Sequence, residues 1–206
     1  FDPRLKETYR RQIINYLNHK NPYTGLRYAD DEAIVTWELN NEEGLVTTSL
    51  WYGMNGWPDY FKTELRSQWC QWLAKRYGDE AGLKKAWGEL KPDETLPAPS
   101  ETMAPLLHQR NEYPAARQAD LVHFFCDVTN SFNQEMRDLI RAQASPGVGA
   151  AVVPIIFDTQ ALPSAPWLYC DSLGDAVSFG TYQVTFHSSL SVPPGLFIMD
   201  NHTVLD

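Results

Sequence analysis

The run Ala33-Ile34-Val35-Thr36-Trp37-Glu38-Leu39 passes without a break into Asn40-Asn41-Glu42-Glu43-Gly44. A short apolar, β-branched segment that delivers amides and carboxylates and then a glycine constrains the fold more than any other stretch of this chain. Strands buried on both faces read as near-continuous hydrophobic segments, and parallel α/β sheets keep their chemistry just past the strands' C-terminal ends. Glu42 stands where such a strand would present a reactive group.

The elements around this run fix the fold class. Asp2-Pro3 has the form of a helix opening, with Asp as N-cap and Pro at the first helical position. Leu5, Tyr9, Ile13, Tyr16 and Leu17 then recur at helical spacing as far as about His19, and Asn21-Pro22 with Gly25 ends that helix. The first strand is expected over 33–39. Beyond Glu42 comes a loop with Trp51, Tyr52, Asn55, Gly56 and Trp57. Loops after strands carry function in barrels, so Trp51 and Trp57 are candidates for substrate contact.

A long amphipathic helix is expected from about Asp59, carrying Leu65, Trp69, Trp72, Leu73 and Tyr77 and closing at Gly78. A shorter helix covers 80–87. Five prolines mark the stretch from Lys91 to Pro114 as a loop, an insertion between helices and not a linker. A second long helix is expected over 115–142, stopped by Ser145-Pro146-Gly147. A second strand reads as 148–157, ending in Asp158-Thr159-Gln160, and a third as 175–182. This alternation argues for parallel strands joined by helical crossovers, an α/β fold. A (β/α)8 TIM barrel takes ~250 residues, so three strands with long helices fit a partial barrel. The domain expectation is one incomplete domain over 1–206, with the proline-rich insertion at about 91–114.

Charge narrows the partners. Seventeen basic against 26 acidic residues leave a net charge of −9, which disfavours nucleic acid and anionic membrane surfaces. No apolar run reaches the ~18 residues of a membrane span. Cys70, Cys126 and Cys170 are odd in number and widely spaced, with neither zinc-ligand spacing nor a visible disulfide framework. Buried thiols are expected for Cys70 and Cys126, which fall in helical patterns. The five histidines show no metal-ligand pairing, and neither a phosphate-binding glycine loop nor a Gly-x-Ser-x-Gly elbow occurs. No cofactor or metal is implied.

From Asn21-Pro22-Tyr23-Thr24-Gly25-Leu26-Arg27-Tyr28-Ala29-Asp30-Asp31 through Ala33 to Glu42, the sequence resembles the fourth strand of clan A glycoside hydrolases, nearest to cellulase-like, family 5-related members. The resemblance implies that the chain covers about strands four to six of the barrel. It implies a retaining glycosidase acting on a β-linked poly- or oligosaccharide, with Glu42 as general acid/base and Asn41 hydrogen-bonding the sugar hydroxyl beside the reacting carbon. Glycoside hydrolysis needs two carboxyl groups, ~5–5.5 Å apart in retaining enzymes. The clan's nucleophile is a Glu ending strand seven, and no Glu follows Glu135 here, so the chain would carry one member of the pair.

By the same resemblance strand six often ends in His-x-Tyr. Here Gly180-Thr181-Tyr182 keeps the Tyr and not the His, leaving Tyr182 to orient the nucleophile or contact sugar, and His187 nearby as a steric substitute. Gln160, at the end of strand five, is a candidate for lining a subsite. Glu38, four residues before Glu42, is expected to point into the barrel as a deeper structural carboxylate. Two alternatives stay open: a carbohydrate-binding relative without catalysis, and a segment with no independent function. The compartment stays open as well, a secreted or periplasmic setting following only from the implied substrate.

Overall fold

The computed structural model describes residues 1–40, 45–46, 49, 53–88, 90–92, 94–96, 104–149, 151–153, 169–170 and 172–176. Its first helix, α1 (Pro3–Leu17), begins as the sequence dictates: Asp2 Oδ1 accepts from the Leu5 amide at 2.9 Å, and Pro3 needs no partner. A single-turn 3-10 segment (Tyr28–Asp30) follows. Helix α2 (Asp59–Tyr77) stops at Gly78, whose φ of +83° suits a residue without a side chain. Helix α3 (Glu80–Trp87) is capped by Asp79, whose Oδ1 accepts from the Gly82 amide at 2.9 Å. Helix α4 (Ala115–Gln143) is the longest described element, starting behind Pro114.

These helices form the larger core. Trp69 is fully buried, its ring stacked on Trp72 at 5.5 Å and on Trp87 at 6.0 Å, with Phe124 at 5.0 Å. The i, i+3, i+4 spacing of Trp69, Trp72 and Leu73 produced this face. A buried carboxylate joins the three helices: Asp120 on α4 accepts from the Tyr77 hydroxyl and the Trp87 indole, both at 2.7 Å, and pairs with Arg76 at 3.2 Å. Three acceptor contacts satisfy a group that would otherwise be costly to bury.

The smaller core lies between α1, α4 and a two-stranded parallel sheet. Strand β1 (Thr36–Glu38) pairs with β2 (Ala151–Val153) in the register Thr36 to Ala151, Trp37 to Val152 and Glu38 to Val153. The connection between them contains α2, α3 and α4, the crossover expected of parallel strands. Leu17, Leu39, Met136, Leu139, Ile140 and Val152 close this core.

Several expectations are corrected here. The first strand spans 36–38, not 33–39, and it is not buried on both faces: Val35 is 74% exposed, and Thr36 and Glu38 are exposed too. Among the described residues β1 has β2 on one edge and no strand on the other. Glu38 is accordingly a surface carboxylate and not a deep one. The second strand covers only 151–153 of the expected 148–157, with 145–149 in a turn and 154–157 outside the described residues. Asp175 and Ala176, the expected start of a third strand, sit in a bend, and the rest of that strand is also outside. The stretch 91–114 is not all loop, since Leu107–Glu112 forms a 3-10 helix with Leu107 fully buried. Among the described residues no helix is long and apolar enough to cross a membrane.

Candidate active site

Parallel pairing decides where a site can form. With Glu38 opposite Val153, the chain leaves both strands at the same end of the sheet. Leu39, first past β1, is buried, and its carbonyl accepts a hydrogen bond from the Tyr9 hydroxyl of α1. Burial pushes the Tyr9 phenol above its usual range, so it remains a donor at neutral pH. Asn40 is half-buried. Asn41 and Glu42 come next in the chain and lie outside the described residues, as do Trp51, Gln160, Tyr182 and His187.

The other strand is fixed from the far side. The Val152 amide donates to Asp175 Oδ2 at 2.8 Å, and the Val152 carbonyl accepts from the Asp175 amide at 2.9 Å. Arg141 on α4 pairs with the same Asp175 carboxylate. A second tie joins the approach to β1 with the approach to β2. Arg27 forks onto Asp30 at 2.6 and 2.9 Å, and the Ser145 amide donates to Asp30 at 3.0 Å. The Arg27 guanidinium, then Ser145, hold the Asp30 carboxyl down at about 2. Tyr9 read as one more position on an apolar helical stripe, and Asp175 as the start of a strand. Their roles in fixing the two strands had no sequence signal, because each depends on a partner at least 23 residues away.

Trp57 is the one sequence-predicted site residue within the described set. It is half-buried, and its ring lies parallel to that of Phe1, with centroids 6.0 Å apart and planes 9° apart. Its amide closes a turn onto the Met54 carbonyl at 3.2 Å. The turn begins at Gly53, where φ is +61° and a Cβ would stand 2.6 Å from the His108 ring. The His108 ring thus lies close against the backbone of this turn and sets it beside the 3-10 helix 107–112.

A groove of about 310 Å³ runs beside β1, lined chiefly by Tyr9, Ile13, Tyr16, Trp37 and Glu38. Leu39 lines it too, so the groove reaches the end of the strand, and among the described residues Glu38 is its one carboxylate. Among the described residues, chemistry that needs two carboxylates has no pair there. Among the described residues no group of three or more His, Cys, Asp or Glu side chains could hold a metal ion.

This frame, two parallel strands sharing one end and backed by helices, belongs to a recognisable class. The profile of glycoside hydrolase family 42, described as beta-galactosidase, matches residues 5–158, and the chain belongs to that family of clan A glycoside hydrolases. The clan-level resemblance read from 21–42 therefore stands, while the nearer relation to family 5 gains no support of its own. Over 101 residues the chain is 29% identical to mannan endo-1,4-beta-mannosidase 7 of Arabidopsis thaliana, covering 48% of this chain and 22% of that protein. In structure it resembles a beta-galactosidase from the psychrophilic Marinomonas ef1, with a TM-score of 0.53 at 21% identity, over 88% of this chain and 24% of that one. At that identity the likeness is one of fold. The chain spans less than a quarter of the length of either relative.

Proposed function

We propose that residues 1–206 form about strands four to six of a (β/α)8 barrel in a retaining glycosidase, with Glu42 as its general acid/base. The single observation that carries this reading is the family match over 5–158, which includes Asn41 and Glu42 directly after the β1 segment. The parallel pairing of β1 with β2 supports it, since barrel enzymes build their sites at the shared C-terminal end of such strands.

In the proposed cycle the Glu42 carboxyl gives its proton to the glycosidic oxygen while a second carboxylate attacks the anomeric carbon. Glu42, now ionised, then takes a proton from the water that releases the sugar. Donating near neutral pH requires a raised pKa, which burial and a neighbouring nucleophile supply. Because no Glu follows Glu135, the nucleophile is to be sought on another segment of the full-length protein, and these 206 residues alone are expected to be inactive. Asn41 binds the hydroxyl beside the reacting carbon. Trp51, Trp57, Gln160, Tyr182 and His187 are proposed sugar contacts, and 91–114 is an insertion in the same incomplete domain.

The substrate class is a β-linked oligo- or polysaccharide, with β-galactosides and β-mannans the first to try, given what the two relatives are named for. The alternative, a carbohydrate-binding relative without catalysis, has one observation behind it, Gly180 at the position where the resemblance expects His.

The test is Glu42→Gln in the full-length protein, assayed on natural glycans and on aryl glycosides with good leaving groups. Turnover of natural glycans should fall by about 10²–10⁴-fold, and glycosylation by the activated aryl substrates far less, because they need little acid assistance. Equal losses on both would remove Glu42 from the acid role. A wild-type protein that binds glycans and hydrolyses none would favour the binding protein.

A further inference from the structure

Among the described residues the ladder between β1 and β2 ends at Glu38, and the carbonyl of the next residue, Leu39, accepts from the Tyr9 hydroxyl of α1. Leu39 is buried, so this hydroxyl supplies a partner that water would supply at the surface. Glu42 follows three residues later, no more than about 11 Å away along a fully extended chain. Among the described residues Tyr9 is the last side chain to hold this backbone before Asn41 and Glu42. Tyr9 is in turn held by α4. Lys6, Tyr9, Arg10 and Ile13 share one face of α1 by their i, i+3, i+4, i+7 spacing. Lys6 and Arg10 both pair with Glu135 of α4, at 2.5 and 2.8 Å. The Tyr9 ring lies against Phe132, one turn before Glu135, with centroids 5.5 Å apart. Two cations and one ring contact thus fix where the hydroxyl points.

We propose that Tyr9 is a positioning residue for catalysis: by fixing the Leu39 carbonyl, its hydroxyl sets the direction in which the backbone delivers Glu42 to the glycosidic oxygen. The proposal rests on the reading of Glu42 as general acid/base. A proton donor must stand within hydrogen-bond reach of the oxygen it protonates. A misplacement of about 1 Å, caused far from the chemistry, can cost about 100-fold in rate. Without the Tyr9 hydroxyl the Leu39 carbonyl must find another donor, and the segment that follows loses the anchor at its near end. Acid assistance then suffers, while substrate contacts made by other segments stay in place. The loss falls on the step that needs the proton and not on binding.

The experiment compares the full-length protein with its Tyr9→Phe, Glu42→Gln and doubly substituted forms. Each is assayed on a natural glycan that the wild type cleaves and on the matching dinitrophenyl glycoside. Tyr9→Phe removes one oxygen and leaves the ring against Phe132. Its kcat on the glycan should fall by about 10–100-fold with KM changed less than about 2-fold. Its kcat/KM on the dinitrophenyl glycoside, which needs little acid assistance, should change by less than about 3-fold. In the Glu42→Gln background the same substitution should add less than about 2-fold on the glycan, because both act through one group. Tyr16→Phe, the same deletion two turns further along α1, should match the wild type in every assay. A purely structural hydroxyl would lower the thermal midpoint and leave these ratios unchanged. That outcome, equal losses of Tyr9→Phe on both substrates, a full multiplicative loss in the double variant, or a Tyr9→Phe protein that does not fold would each overturn the proposal and leave Glu42 as the acid. Equal losses of Glu42→Gln on the two substrates, or a wild type without turnover, would instead remove the acid reading and this proposal with it.

Discussion

The helical half of this protein and its sheet half end in different states. Around Trp69 the helices α2, α3 and α4 enclose a core whose largest side chains are fully buried, with Asp120 satisfied at its centre. Around β1 an apolar, β-branched run leaves Val35 74% exposed. The difference lies in the backbone. A helix satisfies its own amides and needs partners only for one face, so a few helices can complete one another. A strand depends on neighbours at its edges to pair its backbone amides and carbonyls. Among the described residues β1 has one such neighbour. Helices can close locally, whereas sheets wait for chain from elsewhere.

The largest expected effect falls in the closed half. Trp69→Ala should cost about 3–5 kcal/mol, read as a lowered urea midpoint by far-UV circular dichroism, because three aromatic rings lose their shared partner. A cost below about 1 kcal/mol would mean that this core is less closed than its burial implies.

A smaller effect is expected where the two approaches to the sheet are tied. The folded Asp30 carboxyl is held at about 2, below the ~4 of an unfolded aspartate. A depressed folded value stabilises the protein above the unfolded pKa, and that contribution is lost as pH falls through the folded one. Asp30→Asn should therefore lower the urea midpoint at pH 7, and the gap from wild type should close between about pH 4 and about pH 2. A gap that persists unchanged at the acid end would assign the tie to hydrogen bonding without charge.

The smallest effect belongs to the open half. In residues 1–206 alone, Val35→Thr should change stability by no more than about 0.5 kcal/mol, as expected for an exposed side chain. In the full-length protein the same substitution should cost more than about 1 kcal/mol if a further strand of the barrel covers that edge, since a buried hydroxyl then lacks a partner. Equal, negligible effects in both would mean that β1 is an outer strand and would count against the barrel reading.

Much of the helical architecture was legible in the sequence, and the reasons are local. Asp2-Pro3, Gly78, Asp79 and Ser145-Pro146-Gly147 act within a few residues of themselves, so they marked helix ends that the structure reproduces to within a residue or two. The family, too, was readable from 21–42 at the level of the clan. The first strand was over-read, because periodicity reports what a strand is fit to bury and not whether a neighbour arrives to bury it. The 3-10 helix at 107–112 was hidden among prolines, its packing decided by α4 and by His108 against Gly53.

For the candidate site the division is sharper. Sequence alone determined that an apolar strand runs into Asn41 and Glu42, because residue order is all that statement needs. Only the tertiary structure decided that β1 and β2 share one end and that Tyr9 and Asp175 anchor them. Each of those contacts joins residues far apart along the chain. Such pairs are chosen by the packing of whole elements, and the sequence around either partner carries no record of the other.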